Sequence, residues 1–453
     1  MAFRRCLFTF GFLAGWFTTT PCFAVTQLTD HVDPSCAIAL PSSSTAGSLA
    51  FESSCDLSGG NADLNREIFR IDDADGLVQL TQTEGCTNSH VISSASGDIL
   101  AFESDCDFGV NADGNVEIVV LSPSGTNAIT ATSPGCDNLA PSLARDGTAV
   151  AFNSDCDLVS GSNADRSVEI FRTVIGGATV QLTDDRSGTD CANQKPSANE
   201  DGSVIAFESD CDLIGENEDQ VNEIFAVDGS GIRQLTHAPL DTCSSTQAVI
   251  DGSATAVAFA STCDFIGANS DESLEIFKIV DGTVEQLSSD GGDPMCESAD
   301  PRISADGAAV AFESYCDPLG LNGDGSFEVF LAAGSDLLQV SSGTSCSSYQ
   351  PAVVSADLPL AWVSDCDPLE TNADGSAEIF SDSACACGAP RTRLQQSTLP
   401  TAVDALFTLQ ASVGTTQCAR CECDVNSDTK ITATDALTIL KAAVGQDVSL
   451  TCS

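Results

Sequence analysis

Two cysteines about twenty residues apart recur seven times along this chain, and the unit that carries them repeats about every 50 residues. The pairs are Cys36 and Cys55, Cys86 and Cys106, Cys136 and Cys156, Cys191 and Cys211, Cys243 and Cys263, Cys296 and Cys316, and Cys346 and Cys366. A unit of that length cannot bury its apolar face alone, so copies must stack or form a ring. The place to look for function is then a surface presented seven times.

The third copy reads P-S-L-A-R-D-G-T-A-V-A-F-N-S-D-C-D from Pro141 to Asp157, then an acidic loop, V-E-I-F from Val168 to Phe171, and V-Q-L-T from Val180 to Thr183. Short runs rich in Val, Ile, Phe and Thr, divided by Asp-Gly or Gly-Gly, are strands joined by turns that need positive φ. Four such strands per unit predict an all-β fold, a β-propeller. The "AFES"-type and "EIF"-type strands each occur seven times, the latter from Glu67 to Glu378. The "QLT"-type strand is displaced. Its first copy, Val25–Thr29, precedes the first unit, and none follows Phe380. A ring explains the offset, because the N-terminal strand completes the seventh blade and leaves no open edge there. The expectation is a closed seven-bladed propeller over residues 25–381. A linear β-solenoid is the alternative.

Most cysteine pairs are nearly symmetric about a turn, as Cys136 and Cys156 are about Asp146-Gly147. Residues equidistant from a hairpin turn face each other, so one disulfide per blade is expected at the open end of its first hairpin. Each closes a loop worth about 3 kcal/mol in the chain-entropy model. Free buried thiols, the alternative, fit poorly with regular pairing and an export signal. Residues 1–24 read as that signal: Arg4 and Arg5, an apolar stretch Cys6–Phe17, and a small-residue cleavage site ending at Ala24. The stretch is too short to span a membrane. A secreted or periplasmic protein in an oxidising compartment is expected.

The formal charge is −49, from 66 acidic and 17 basic residues. Self-repulsion sets nucleic acid and anionic membranes aside as partners and favours divalent cations or basic partners. A solvated acidic coat would give the same composition. The acidity is patterned: after the second cysteine come an Asp, an Asn, an Asp two residues on, and the Glu that opens the "EIF" strand. In the second copy these are Asp107, Asn111, Asp113 and Glu117, and in the seventh Asp367, Asn372, Asp374 and Glu378. Such oxygens in a glycine-bearing loop suit a weak calcium site per blade. Asn and Asp also simply form turns. These loops join the second and third strands, which places them on the disulfide face around the channel mouth. The repeat, of the form P-x-x-S-x-D-G-x-x-I-A-F-x-S followed by E-I-F and Q-L-T, resembles the TolB-like propeller repeats over residues 25–380. TolB itself has six blades and an N-terminal α/β domain, so its envelope role does not carry over. The resemblance implies a rigid extracytoplasmic platform for protein or glycan contacts.

Composition changes after Ser381: residues 382–400 read as a linker and 401–453 as a small α-helical module. Thr401-Ala-Val-Asp-Ala-Leu and Thr432-Ala-Thr-Asp-Ala-Leu are a second duplication. Apolar residues at helical spacing, Leu406, Leu409 and Val413, then Leu437, Leu440 and Val444, predict two helices with that apolar face, each ending at a glycine. The second follows Asp424, Asn426, Asp428, Lys430, Thr432 and Asp435, which match positions 1, 3, 5, 7, 9 and 12 of a calcium loop. A helix-capping loop without metal is the alternative. Asp at position 12, with a helix only after the loop, resembles the dockerin type I module, which implies a cohesin-like partner. The first copy carries Arg393, Gln395 and Ser397 where acids are needed and retains only Asp404, so one calcium is expected. Cys385, Cys387, Cys418, Cys421, Cys423 and Cys452 suit three disulfides better than zinc in an exported chain.

The three histidines, His31, His90 and His237, fall in different units, and no nucleophile elbow with triad partners is evident. The expected function is a non-catalytic binding or scaffold protein with calcium-stabilised modules. The alternative is a polysaccharide-acting enzyme, a lyase or glycoside hydrolase, at the channel mouth. An enzyme should break the repeat symmetry on the central strands, where His90 and Tyr349 are the unusual residues.

Overall fold

The computed structural model describes residues 23–384, apart from 32, 34, 73–75, 186–190, 241, 290–294 and 354–359. Beyond 384 it describes residues 405, 406, 408, 409, 412, 425, 430, 432–444 and 446. Residues 28–367 and 372–380 form one compact unit, and the C-terminal residues belong to a second. Among the described residues no helix is long and apolar enough to cross a membrane.

Seven four-stranded antiparallel sheets make a seven-bladed propeller. Blade 3 has Asn138–Leu143 innermost, then Ala149–Ser154, Glu169–Val174 and Thr179–Gln181. The seventh sheet takes Phe23–Gln27 as its outer strand, beside Glu378–Ala384. The Leu28 N–H continues that pairing to the Ile379 carbonyl at 2.7 Å. The displaced first strand therefore closes the ring.

The second and third strands are buried on both faces, so they read as continuous apolar runs. Their phenylalanines stack in pairs within blades, Phe51 on Phe69 and Phe207 on Phe225 with centroids 5.6 and 5.7 Å apart. Neighbouring blades share one core: Ala50 and Ile68 of blade 1 pack with Val91, Leu100, Phe102 and Val119 of blade 2.

Each blade carries its disulfide where the hairpin argument puts it, with Cα–Cα distances from 4.9 to 5.2 Å. The Glu that opens each third strand is wholly buried and forms a second staple. Glu117 accepts the Thr132 N–H at 2.6 Å and hydroxyl at 2.7 Å, and Asn138 of the next blade donates to it at 2.9 Å. Glu378 takes the Thr29 hydroxyl at 2.5 Å and the His31 N–H at 2.8 Å across the ring closure.

In the C-terminal unit, Ala433–Ala443 is the one helix whose ends are described. Its buried face is not the predicted leucine stripe: Leu437 and Leu440 are 51 and 40% exposed, whereas Asp435, Ala436 and Ile439 are buried, Ile439 in a cluster with Ala405 and Val425. Both stripes have helical spacing, so periodicity did not choose between them. The described residues supply one capped helix and no second loop-helix pair, so the dockerin resemblance rests on the sequence pattern. The linker from residue 385 onward, the six C-terminal cysteines, and Asp424, Asn426 and Asp428 lie outside the described residues.

Candidate functional site

The seven inner strands line a central cavity of about 420 Å³. Each has a β-bulge at its third residue, marked by a register shift against the second strand. The bulge residue is left-handed in every blade: Leu40, His90, Ala140, Lys195, Gln247, Asp300 and Gln350, with φ between 47 and 57°. A non-glycine residue is strained in that region unless its surroundings hold it there.

The hold is a hydrogen bond from each bulge N–H to the preceding blade. His90, Ala140, Gln247 and Gln350 donate to Glu52, Glu103, Glu208 and Glu313 at 2.6, 2.6, 2.7 and 2.8 Å. These glutamates are the third letter of "AFES". Lys195 donates to Asn153, which replaces that Glu in blade 3, at 3.3 Å. Blades 5 and 7 have lost it to Ala260 and Val363. Their own bulge residues substitute: Gln247 Oε1 accepts the Asp300 N–H at 3.0 Å, and Gln350 Oε1 accepts the Leu40 N–H at 2.9 Å.

This scaffold presents unlike side chains at equivalent places. His90 Nδ1 lies 2.8 Å from Glu103, and this bond raises the imidazole above its ordinary value of 6.5. Lys195 pairs with Glu208 at 3.1 Å, Arg66 with Glu52 at 2.6 Å, and Arg302 with Asp300 at 2.7 Å. Burial pushes the Glu313 carboxyl up. Toward the turn end of the channel, burial holds the Arg145 guanidinium below its usual range, opposed by the charges of Glu200, Asp306 and Asp251. Basic residues are scarce in this chain, so three of them lining one cavity (Arg145, Lys195 and Arg302) is a local concentration. Aromatic platforms are scarce there. His90 lines the cavity, whereas Tyr349 stands one residue before the bulge, opposite Val363, and is not among the lining residues. His31 sits on Glu378 at the ring closure, and His237 is in an exposed loop of blade 4.

The acidic loops lie on the disulfide face but not around the channel, which corrects the expectation. They pack outward, over the fourth strand and the connection to the next blade. Ser58 donates to Gln79, and Asp63 accepts the Gly85 N–H. Asp107 and Asp367 form turns, accepting the backbone N–H of Asn111 and Asn372 at 3.2 and 2.9 Å. Asn111 and Asn372 are buried and donate to the carbonyls of Asn115 and Ser376. Asp113 and Asp374 stay exposed, while Glu117 and Glu378 are the buried staples described above.

Of the C-terminal loop, Lys430, Thr432 and Asp435 are described. Thr432 and Asp435 form a capping box, and Asp435, fully buried, also takes the Val425 N–H at 3.1 Å.

No protein-family model and no curated protein matches this chain. Solved structures match its fold. Oligogalacturonate lyase from Vibrio parahaemolyticus is 15% identical, over 81% of this chain and 94% of that one, with a TM-score of 0.53. The β-propeller domain of the Trilobed protease from Pyrococcus furiosus, described as having an open velcro topology, is 11% identical over 76% of this chain and 95% of that one, at 0.51. TolB from Acinetobacter baumannii is 15% identical over 70% and 65%, at 0.41.

Proposed function

We propose that this chain is an exported, non-catalytic binding protein whose channel takes a polar segment of a protein partner. One observation carries the reading: seven equivalent, left-handed bulge positions hold six different residue types, and Leu40, His90, Ala140, Lys195, Gln247 and Asp300 among them line one cavity. The partner class follows from charge and shape. The channel offers ion pairs and amides with almost no aromatic surface, which disfavours stacked sugar rings. The field of a strongly acidic chain attracts basic partners and repels acidic ones. The reading includes a calcium ion at Asp424, Asn426, Asp428, Lys430, Thr432 and Asp435.

The test is binding of the mature protein to peptides of graded charge and to neutral and acidic oligosaccharides, beside an L40A/H90A/K195A variant. Salt-sensitive binding of basic peptides, lost in the variant, supports the reading. Binding of oligosaccharides alone, or binding indifferent to the variant, overturns it. A second reading, a polysaccharide-acting enzyme, draws on the His90–Glu103 pair, an imidazole held by a carboxylate in the cavity lining. Depolymerisation abolished by His90→Ala would favour it.

A further inference from the structure

In four blades a serine follows the loop Asp by two residues, and three other side-chain oxygens converge on its hydroxyl. In blade 7, Ser376 Oγ lies 3.1 Å from Asn372 Oδ1, 2.8 Å from Asp374 Oδ1 and 3.2 Å from Glu378 Oε1, with the His31 carbonyl at 3.2 Å. The serines of blades 3, 5 and 6 repeat the arrangement at 2.8 to 3.5 Å. A hydroxyl has one proton to give, so acceptors otherwise face acceptors. Blades 1, 2 and 4 carry Asn65, Asn115 and Val221 in place of the serine. There the loop asparagine loses that partner: the Oδ1 atoms of Asn61, Asn111 and Asn217 are buried with none, in residues only 1, 3 and 2% exposed. An amide oxygen is left unpartnered in the interior only at a cost. Its counterpart in the other blades points into the oxygen cluster.

We propose that each loop binds one calcium ion through the Asn Oδ1, the exposed Asp and the buried Glu Oε1, with the serine hydroxyl added in blades 3, 5, 6 and 7. Oxygens 2.8 to 3.5 Å apart are the edges of the shell that a hard cation with ligands at about 2.4 Å requires. The all-oxygen set excludes the softer metals that seek sulfur or imidazole. The Asp that opens the loop, Asp107 or Asp367, shapes the turn through one carboxylate oxygen, which accepts the N–H of the ligand asparagine. The exposed Asp is the side from which the ion enters and where water completes the shell.

The test uses chelator-stripped mature protein and terbium, which takes calcium sites and emits when a nearby tryptophan is excited. Trp362 stacks on Phe380, two residues from Glu378, and the other tryptophan, Trp16, lies in the export signal. Saturable emission that calcium displaces is expected, lost in N372A/D374A and retained in N111A/D113A. Each double variant should also bind one calcium ion fewer by calorimetry. Ser376→Ala, a milder change at a place where Val221 is tolerated, should weaken terbium binding several-fold with the fold intact. Absence of emission from the parent protein, emission unchanged in N372A/D374A, or calcium stoichiometry indifferent to both pairs overturns the proposal. Channel binding is untouched by any of these results.

Discussion

Gln247→Ala isolates the device that holds the bulge ring together. The substitution removes the acceptor of the Asp300 N–H, bonded at 3.0 Å, and Ala260 offers no replacement. Alanine brings no new backbone strain, because Ala140 occupies the equivalent left-handed position with φ 53°. Stranding a buried donor costs about 1–3 kcal/mol, and this half-buried site belongs near about 1 kcal/mol, roughly a fivefold rise in local opening. The assay is hydrogen exchange at the Asp300 amide, with urea unfolding alongside. Adding Ala260→Glu restores the acceptor that Glu208 supplies one blade earlier, so Q247A/A260E should recover both protection and stability. Unchanged Asp300 exchange in Q247A, or a folded double variant without recovery, refutes the reasoning.

Stability should peak at mildly acidic pH. Burial raises Glu169, Glu223, Glu313 and Glu328 above 4.5, and carboxylate partners raise His31 and His90 above 6.5. Groups raised on folding stabilise below their ordinary values and lose that contribution as pH rises through the folded ones. Hydrogen bonds lower Asp306, Asp374 and, to about 2, Asp228, and that contribution is lost as pH falls below 3.8. Thermal melts from pH 3 to 8 would check this; a flat profile or a maximum above pH 7 counts against it. Removing one staple, C136A/C156A, should cost about 3 kcal/mol in urea under non-reducing conditions, and an unchanged midpoint would show that the hairpin holds itself. Thr432→Ala should cost about 1 kcal/mol of helix stability, read by exchange over Ala433–Ala443, through loss of the capping box.

The ring was legible because its signals are local and repeated: turn residues, cysteines at hairpin-symmetric places, and one strand out of phase. The channel site was not. A left-handed bulge at Leu40 or Lys195 carries no glycine to announce it, and each inner strand reads as an uninterrupted run. Two signals were available in hindsight. The third residue of the inner strand varies among Leu, His, Ala, Lys, Gln and Asp, and in most blades it is followed by proline, as at Pro41, Pro141 and Pro196. Glutamine appears there only in the two blades, at Gln247 and Gln350, whose second strand lacks Glu or Asn. The acidic loops were placed too near the channel because strand order fixes which end of the blade a loop occupies but not which way it leans. Their outward lean comes from contacts to the repeated glutamine of the "QLT" strand, Ser58 to Gln79 and Ser162 to Gln181, whose partner strand order alone does not name.

The most direct test of the central claim is a map of where a bound partner sits: hydrogen exchange of the mature protein with and without its tightest-binding peptide. The account predicts new protection on the inner strands around Leu40, His90 and Lys195. Protection confined to the outer strands or to residues beyond 384, with those inner strands unchanged, would contradict it.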